Sequence, residues 1–449
     1  MWHPFGIFPV MASDPQFTIA ASPRELENAR RLVREGRLTE AEQAFRGVLQ
    51  NQPEQVEALR FLANAALARG AAGEAVELLN RAANADRSDI GVLMELGVAY
   101  RAADRRDESR YVLERALQLS QGRNTTARLL LANVLELDRR DELALAHYFR
   151  AILEAQSQGQ WLDDNSTEPG LRQLVRHAMR YVANGRRALF DAALQAVRES
   201  HPEASMRRID RALSIYLRES DERPQDPRQR PMFLYVPDLG STPFIESEPE
   251  WLPIFLQRIA AAAAEVDVCV KDFSPVSANS ASPFSLDSLL SRGNENEMPR
   301  EQRLSIYQRG LLHDSPRKHA PRLLAALEET PLVHIPRHGP DAEVILLPVG
   351  TRSALRYGRT NSRCGVAVAL PNSSPLHVIV GGEPRALGAG EALIFDPGFG
   401  VEYVNGGQSE ARVLAFEIWH PDLSTAERAA LHAITETAVE FDSRLQEIG

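Results

Sequence analysis

Cysteine is nearly absent from this chain, with only Cys269 and Cys364 among 449 residues. Two thiols so far apart make neither a disulfide framework nor a zinc-site spacing, and they fit a reducing compartment. A basic excess is missing too: Lys and Arg total 51 against 61 Asp and Glu, a formal net charge of -10. Without a basic surface, nucleic acid is excluded as the main partner. No apolar run approaches the roughly 20 residues a membrane helix needs, so no membrane partner is expected. The start, MWHPFGIFPVMASDPQ, is apolar but has no basic n-region. The reading is a disordered tail over 1–20, with Met1 or Met11 as initiator, on a cytoplasmic protein. What remains is ordinary globular composition, 44% hydrophobic and 25% charged, and enough length for two or three domains.

The N-terminal third repeats itself. GRLTEAEQAFRGVLQNQP begins at Gly36, and GAAGEAVELLNRAANAD begins 34 residues later at Gly70. The same frame aligns Ala41, Ala75 and Ser109, then Phe45, Leu79 and Leu113, then Val48, Ala82 and Ala116. A fourth copy follows after 35 residues, with Ala144, Tyr148 and Ala151. In the third copy LMELGVAY supplies the preceding helix, through Leu93, Leu96, Gly97 and Tyr100. The small positions let paired helices approach and the large ones fill the seam, which resembles the tetratricopeptide repeat. This predicts an α-solenoid over 21–160, either a groove for a protein or peptide partner or a helical spacer. Amphipathic helices continue over 165–220, where His177 reads as a packed or surface residue. RESDERPQDPRQRP then breaks the pattern, a linker at 221–231.

From Met232 the character changes to short apolar runs parted by Gly, Pro, Asn and Ser. AEVILLPVG, CGVAVALP, LHVIVGG, EALIFDPG, VEYVNGG and ARVLAFEIW read as successive strands of an antiparallel sandwich or barrel over 232–435. SPVSANSASPFSLDSLLSRGNENEMPRE reads as an exposed loop. A helix closes the chain over 424–449, with Ser424 and Glu427 at capping-box spacing.

Three stretches, RQRPMFLYVPDLGSTPF, LRYGRTNSRCGVAVALP and FEIWHPDLSTAER, together with the strand series, resemble the aspartyl/asparaginyl β-hydroxylase family. The resemblance implies a double-stranded β-helix, a jelly-roll of the cupin type, that uses Fe(II), 2-oxoglutarate and O₂. It also implies helical repeats ahead of that domain. The retained motif residues are Gly358, Thr360, Asn361, Arg363, Asp396, Glu402 and Asn405.

The residues that carry the family's chemistry are missing. Arg356 stands where the resemblance places the first iron-ligating histidine, and a guanidinium stays protonated with no lone pair to give. Val401 stands at the second, and valine has no donor. Gly365 and Ala367 replace the arginine and histidine that would anchor 2-oxoglutarate, and Ile345 replaces a polar helper. Arg412 lies one residue out of register with a further family arginine. His334 and His338 do not share a helix face, because VHIPRHGP holds proline and glycine; His377 reads as a strand residue facing solvent or core, and His420 matches a structural position. No metal ligand or catalytic residue is therefore assigned, and no cofactor is expected.

Arg352, Arg356, Arg359 and Arg363 crowd one short segment. Arg352 and Arg356 would share a strand face and are candidate anion ligands, unless Asp396 or Glu402 pairs with Arg356. Three readings follow. The favoured one is a non-catalytic protein- or peptide-binding pseudo-oxygenase. The second is an active Fe(II)- and 2-oxoglutarate-dependent dioxygenase acting on Asp or Asn side chains. The third is anion binding or different chemistry in the refitted barrel.

Overall fold

The computed structural model describes residues 23–272 and 301–448. The apolar N-terminal stretch and the Ser/Asn-rich segment lie outside the described residues. The chain divides into two compact units: residues up to Ala188 together with those from Phe441, and Leu189–Glu440.

The first unit is a series of helix pairs: α1 Pro23–Arg34 with α2 Leu38–Asn51, α3 Val56–Ala68 with α4 Ala72–Ala85, α5 Ile90–Ala102 with α6 Arg106–Leu119, and α7 Thr125–Leu137 with α8 Asp141–Ser157. The repeated columns are the seams. Ala41, Ala75, Ser109 and Ala144 are all buried, as are Phe45, Leu79, Leu113 and Tyr148. Gly97 is required by close approach, because a Cβ there would stand 2.7 Å from Cγ of Leu113. The Ser109 hydroxyl donates to the Gly97 carbonyl at 2.7 Å across the same seam. Each of α3, α5 and α7 begins with a side-chain cap, in which Gln55, Asp89 and Asn124 accept from the amides of Ala58, Val92 and Ala127. Such caps satisfy amides that the first helical turn leaves without partners. The second helices of these pairs have no side-chain cap bond. The long α9, Arg172–Ser200, follows.

The second unit holds nine strands among the described residues, three more than the sequence suggested. β1 Gln302–Gln308, β2 Leu311–Leu312, β3 Ala342–Leu347, β4 Arg363–Ala369, β7 Ala392–Phe395 and β9 Ala411–Trp419 form one antiparallel sheet, ordered β2-β1-β3-β9-β4-β7. β5 Leu376–Val380, β6 Glu383–Leu387 and β8 Val401–Val404 form a second, ordered β6-β5-β8. Alternation splits the larger sheet's side chains between two cores. Val344, Val366, Val368, Leu414 and Phe416 pack under helix α10 (Leu252–Asp272), with Phe255, Ile259 and Val266. Ile345, Ala367, Ala369 and Val413 on the opposite face meet Val378, Val380, Val401 and Tyr403 of the smaller sheet. The fold class is as expected, an α-helical repeat unit followed by a β-rich, jelly-roll-type sandwich. The closing helix, Thr425–Glu447, opens on the foreseen capping box: the Ser424 amide donates to Glu427 at 2.9 Å, and the Glu427 amide to the Ser424 hydroxyl at 3.3 Å.

Candidate functional site

The two positions at which the resemblance would place iron ligands, Arg356 and Val401, are brought directly together. Arg356 and Val401 pair across an antiparallel bridge, with the Arg356 amide donating to the Val401 carbonyl at 3.1 Å and the Val401 amide returning the bond at 2.7 Å. Their side chains have different fates. Val401 is buried in the core between the sheets, beside Phe399 and Tyr403. The Arg356 side chain is 59% exposed and lies 3.5 Å from Glu301. The positions that the resemblance gives to 2-oxoglutarate are filled as well. Ile345 and Ala367 belong to the same apolar core as Val401. Gly365 pairs with Phe395, and a Cβ on it would stand 2.4 Å from the Phe395 ring.

The segment that carries Arg352 and Arg356 is irregular. Arg352 bridges to Val404 and Arg356 to Val401, so four steps on one side oppose three on the other. The strand bulges, and simple alternation does not apply. Glu402 holds Arg352 in a two-pronged contact at 2.7 and 2.8 Å and does not serve Arg356. Asp396 instead accepts from Gln229 at 2.5 Å and from the Gly398 amide at 2.7 Å. Both candidate anion ligands therefore already face a carboxylate. Arg303 adds to the internal pairing by donating to Glu301 at 2.8 Å and to Glu343.

The retained motif residues hold the fold. Asn361 accepts from the Val236 amide at 2.7 Å and donates to the Val236 carbonyl at 2.8 Å, standing in for a neighbouring strand. Gly358 lets the chain pass Pro397, where a Cβ would be 2.6 Å from the proline ring. Thr360 accepts from the Ser362 amide at 3.1 Å. Arg363 is buried and paired with Glu417 at 3.0 Å. Asn405 donates to the carbonyls of Leu347 and Ser409 and accepts from the Gly407 amide. Burial pushes the Asp396 carboxyl up to about 6.

The histidines are dispersed. His334 lies 3.3 Å from Glu328 and is mostly exposed. His338 is buried beside Phe233, and burial together with the Arg363 charge pushes it down to about 3. His377 is exposed on β5. The ring of His420 accepts from the Asp422 amide at 3.2 Å. His177, in the helical unit, pairs with Glu136 at 2.8 Å. Arg412 bonds Asp267 and Glu410. Among the described residues, no three His, Cys, Asp or Glu side chains gather where they could hold a metal ion.

Residues 284–421 match the aspartyl/asparaginyl beta-hydroxylase family model, and residues 26–90 match the tetratricopeptide repeat. This chain joins tetratricopeptide repeats to an aspartyl/asparaginyl β-hydroxylase-like domain. Aspartate beta-hydroxylase domain-containing protein 1 of Mus musculus is 30% identical over 210 residues, covering 45% of this chain and 55% of its own length. Domain-containing protein 2 of Xenopus tropicalis is 26% identical over 251 residues, covering 54% and 64%. The chain thus spans little more than half the length of these curated relatives. Among solved structures, MamA aligns over 28% of this chain and 74% of its own at 25% identity, with a TM-score of 0.26.

Among the described residues, the hydroxylase-like domain does not offer the donor set needed by the cofactors of the family it resembles. A ferrous oxygenase binds iron through imidazole or carboxylate and leaves positions open for 2-oxoglutarate and O₂. Here one ligand position is an aliphatic side chain in a core and the other a cation paired with Glu301. An arginine at 365 would have to displace the Phe395 ring. Gln229, in the RQRPMFLYVPDLGSTPF stretch, and Glu301, at the end of the Ser/Asn-rich segment, complete the local pairing, although residue type alone marks neither for that role.

Proposed function

We propose that this protein is a non-catalytic binding protein, in which the repeat unit takes a protein or peptide and the hydroxylase-like domain is a degenerate oxygenase. One observation carries the reading: Val401, Ile345 and Ala367 together form apolar core where iron and 2-oxoglutarate would sit. Repeats in register make a continuous surface suited to an extended partner. The reading includes a cytoplasmic setting, supported by two buried cysteines far apart in sequence. Among the described residues no helix is long and apolar enough to cross a membrane.

Two measurements test it. Anaerobic calorimetric titration with Fe(II) is expected to show no saturable binding at micromolar concentration, and incubation with 2-oxoglutarate, iron and peptides no coupled succinate release. Stoichiometric iron or peptide-dependent succinate would establish the dioxygenase reading instead. A pull-down with the full chain, against one lacking residues 25–155, should lose its partner in the shortened form; equal recovery would reduce the repeats to a spacer.

A further inference from the structure

Helix α10 covers one core of the β-rich unit with one side and turns the other outward. Its inward positions Phe255, Ile259, Ala262, Val266 and Cys269 recur at three and four residues and are buried. Ile254, Gln257, Ala261, Ala264 and Val268 recur at the same spacing on the opposite side, and all five are exposed among the described residues. Ile254 is 55% and Val268 42% exposed. A helix lying on a core ordinarily gives its outer side to charge. Here the outer stripe holds no charged residue, and its large apolar members stand at the two ends with alanine between them.

A second helix, α11 (Pro321–Glu328), lies alongside α10 and runs the opposite way. Glu265 accepts from the amides of Arg322 and Leu323 at 2.9 and 3.2 Å. At the other end Arg258 pairs with Glu329, the residue that caps α11. Each helix therefore carries one arginine and one glutamate seven positions apart, and their order is reversed along the surface. Arg258, Arg322 and Glu329 are exposed, and Glu265 is partly buried.

This pattern matches itself when turned over by a two-fold axis that crosses α10 at Ala261 and α11 beside Ala325. Antiparallel packing of α10 on its own copy then sets Ile254 opposite Val268 of the second copy, and Ala261 opposite Ala261. Arg258 comes within one position of Glu265 of the second copy. On α11 the same rotation sets Arg322 opposite Glu329 of the second copy. Small residues at the centre let two helices approach closely, the apolar ends cover each other, and like charges do not meet. A contact between identical faces requires this kind of self-complementarity.

We propose that the outer faces of α10 and α11 form a two-fold interface with a second copy of this chain, built on Ile254, Ala261 and Val268 and framed by Arg258, Arg322 and Glu329. The matching face is about 21 Å long and two helices, about 20 Å, wide. That is smaller than the roughly 800 Å² a side of a standard interface, which points to a dimer of micromolar affinity.

Sedimentation of the full chain over a concentration series is expected to show the mass rising from one chain to two. Ile254→Glu changes an exposed residue, so it should weaken the dimer about tenfold or more without lowering the melting temperature. The charge pattern supplies the deciding variants. Arg322→Glu and Glu329→Arg should each dimerise poorly alone, because the rotation then opposes like charges. Mixed in equal amounts, the two variants should pair with each other as tightly as wild type, since every glutamate then faces an arginine. Ala261→Cys puts a thiol on the axis and should give a crosslinked dimer under mild oxidation; wild type, whose two cysteines are buried, should not crosslink. A monomer at every concentration would overturn the proposal. So would a dimer that survives Ile254→Glu, or a mixture of the two charge variants that stays monomeric.

Discussion

Asp396 and His338 are buried ionisable residues with opposite consequences for stability. Burial raises the Asp396 carboxyl from 3.8 to about 6. The folded state therefore keeps a proton that the unfolded chain has released. Its contribution is complete below the unfolded value and is lost as pH rises through about 6, a change of about 3 kcal/mol. His338, held near 3 against an ordinary 6.5, contributes fully above its unfolded value and loses that contribution as pH falls towards 3. Asp396→Asn removes the first effect alone. Urea titrations are expected to show the variant gaining on wild type as pH climbs from about 4 to about 6.5. Parallel curves would place the proton elsewhere. At Gly365, substitution by alanine should cost about 1–3 kcal/mol, the usual penalty for overpacking, because the new methyl meets the Phe395 ring; an unchanged unfolding midpoint would show that the ring yields freely. These residues also mark how far the sequence could be read. Arg356 and Val401 were legible as chemically unfit from residue type alone. That Asn361 completes a strand edge and Gln229 caps Asp396 depended on chain segments brought together by folding, which no local spacing records.

The repeat period was legible at the scale of elements because every copy must bury the same positions. Helix starts were less so. Gln55, Asp89 and Asn124 are three different side chains doing one job, accepting from the amide three residues on, so they form no column of identity. Replacing Asn124 by alanine should cost about 1 kcal/mol, read as lower cooperative stability and faster amide exchange in the first turn of α7. Normal protection there would mean that water serves the amide equally well. In the β-rich unit, β3, β4 and β9 were evident as apolar runs because both faces of their sheet are covered. β1 was missed because it alternates, with Leu304 and Ile306 inward and Arg303 turned to carboxylates. β6 was missed because it is mostly polar.

Across the whole molecule, pairings distant in sequence decide what local pattern cannot. The last turns of the closing helix belong to the repeat unit. Phe441 packs edge-on to Phe149 at 5.3 Å, Arg444 pairs with Glu142, and Arg128 reaches the Ile448 carbonyl 320 residues away. Cations near a helix C-terminus also complement its dipole. Removing the residues from Phe441 onward leaves Arg128 buried with an acceptor lost, at a cost of about 1–3 kcal/mol. Hydrogen exchange should then report loosened α7 and α8 but an unaltered α2–α3 region; uniform protection would show that these contacts carry no stability. The seat of Phe395 against Gly365 has a further consequence, for ancestry. Because motif residues such as Asn361 and Asn405 hold backbone together, selection for folding alone would preserve them whether or not the domain is catalytic. On the non-catalytic reading proposed above, a return to iron chemistry would need histidines at 356 and 401, a cationic anchor and a vacated ring position all at once. On that reading no single step along the path gives function, and the step at Gly365 costs stability, so a drift away from catalysis would run in one direction.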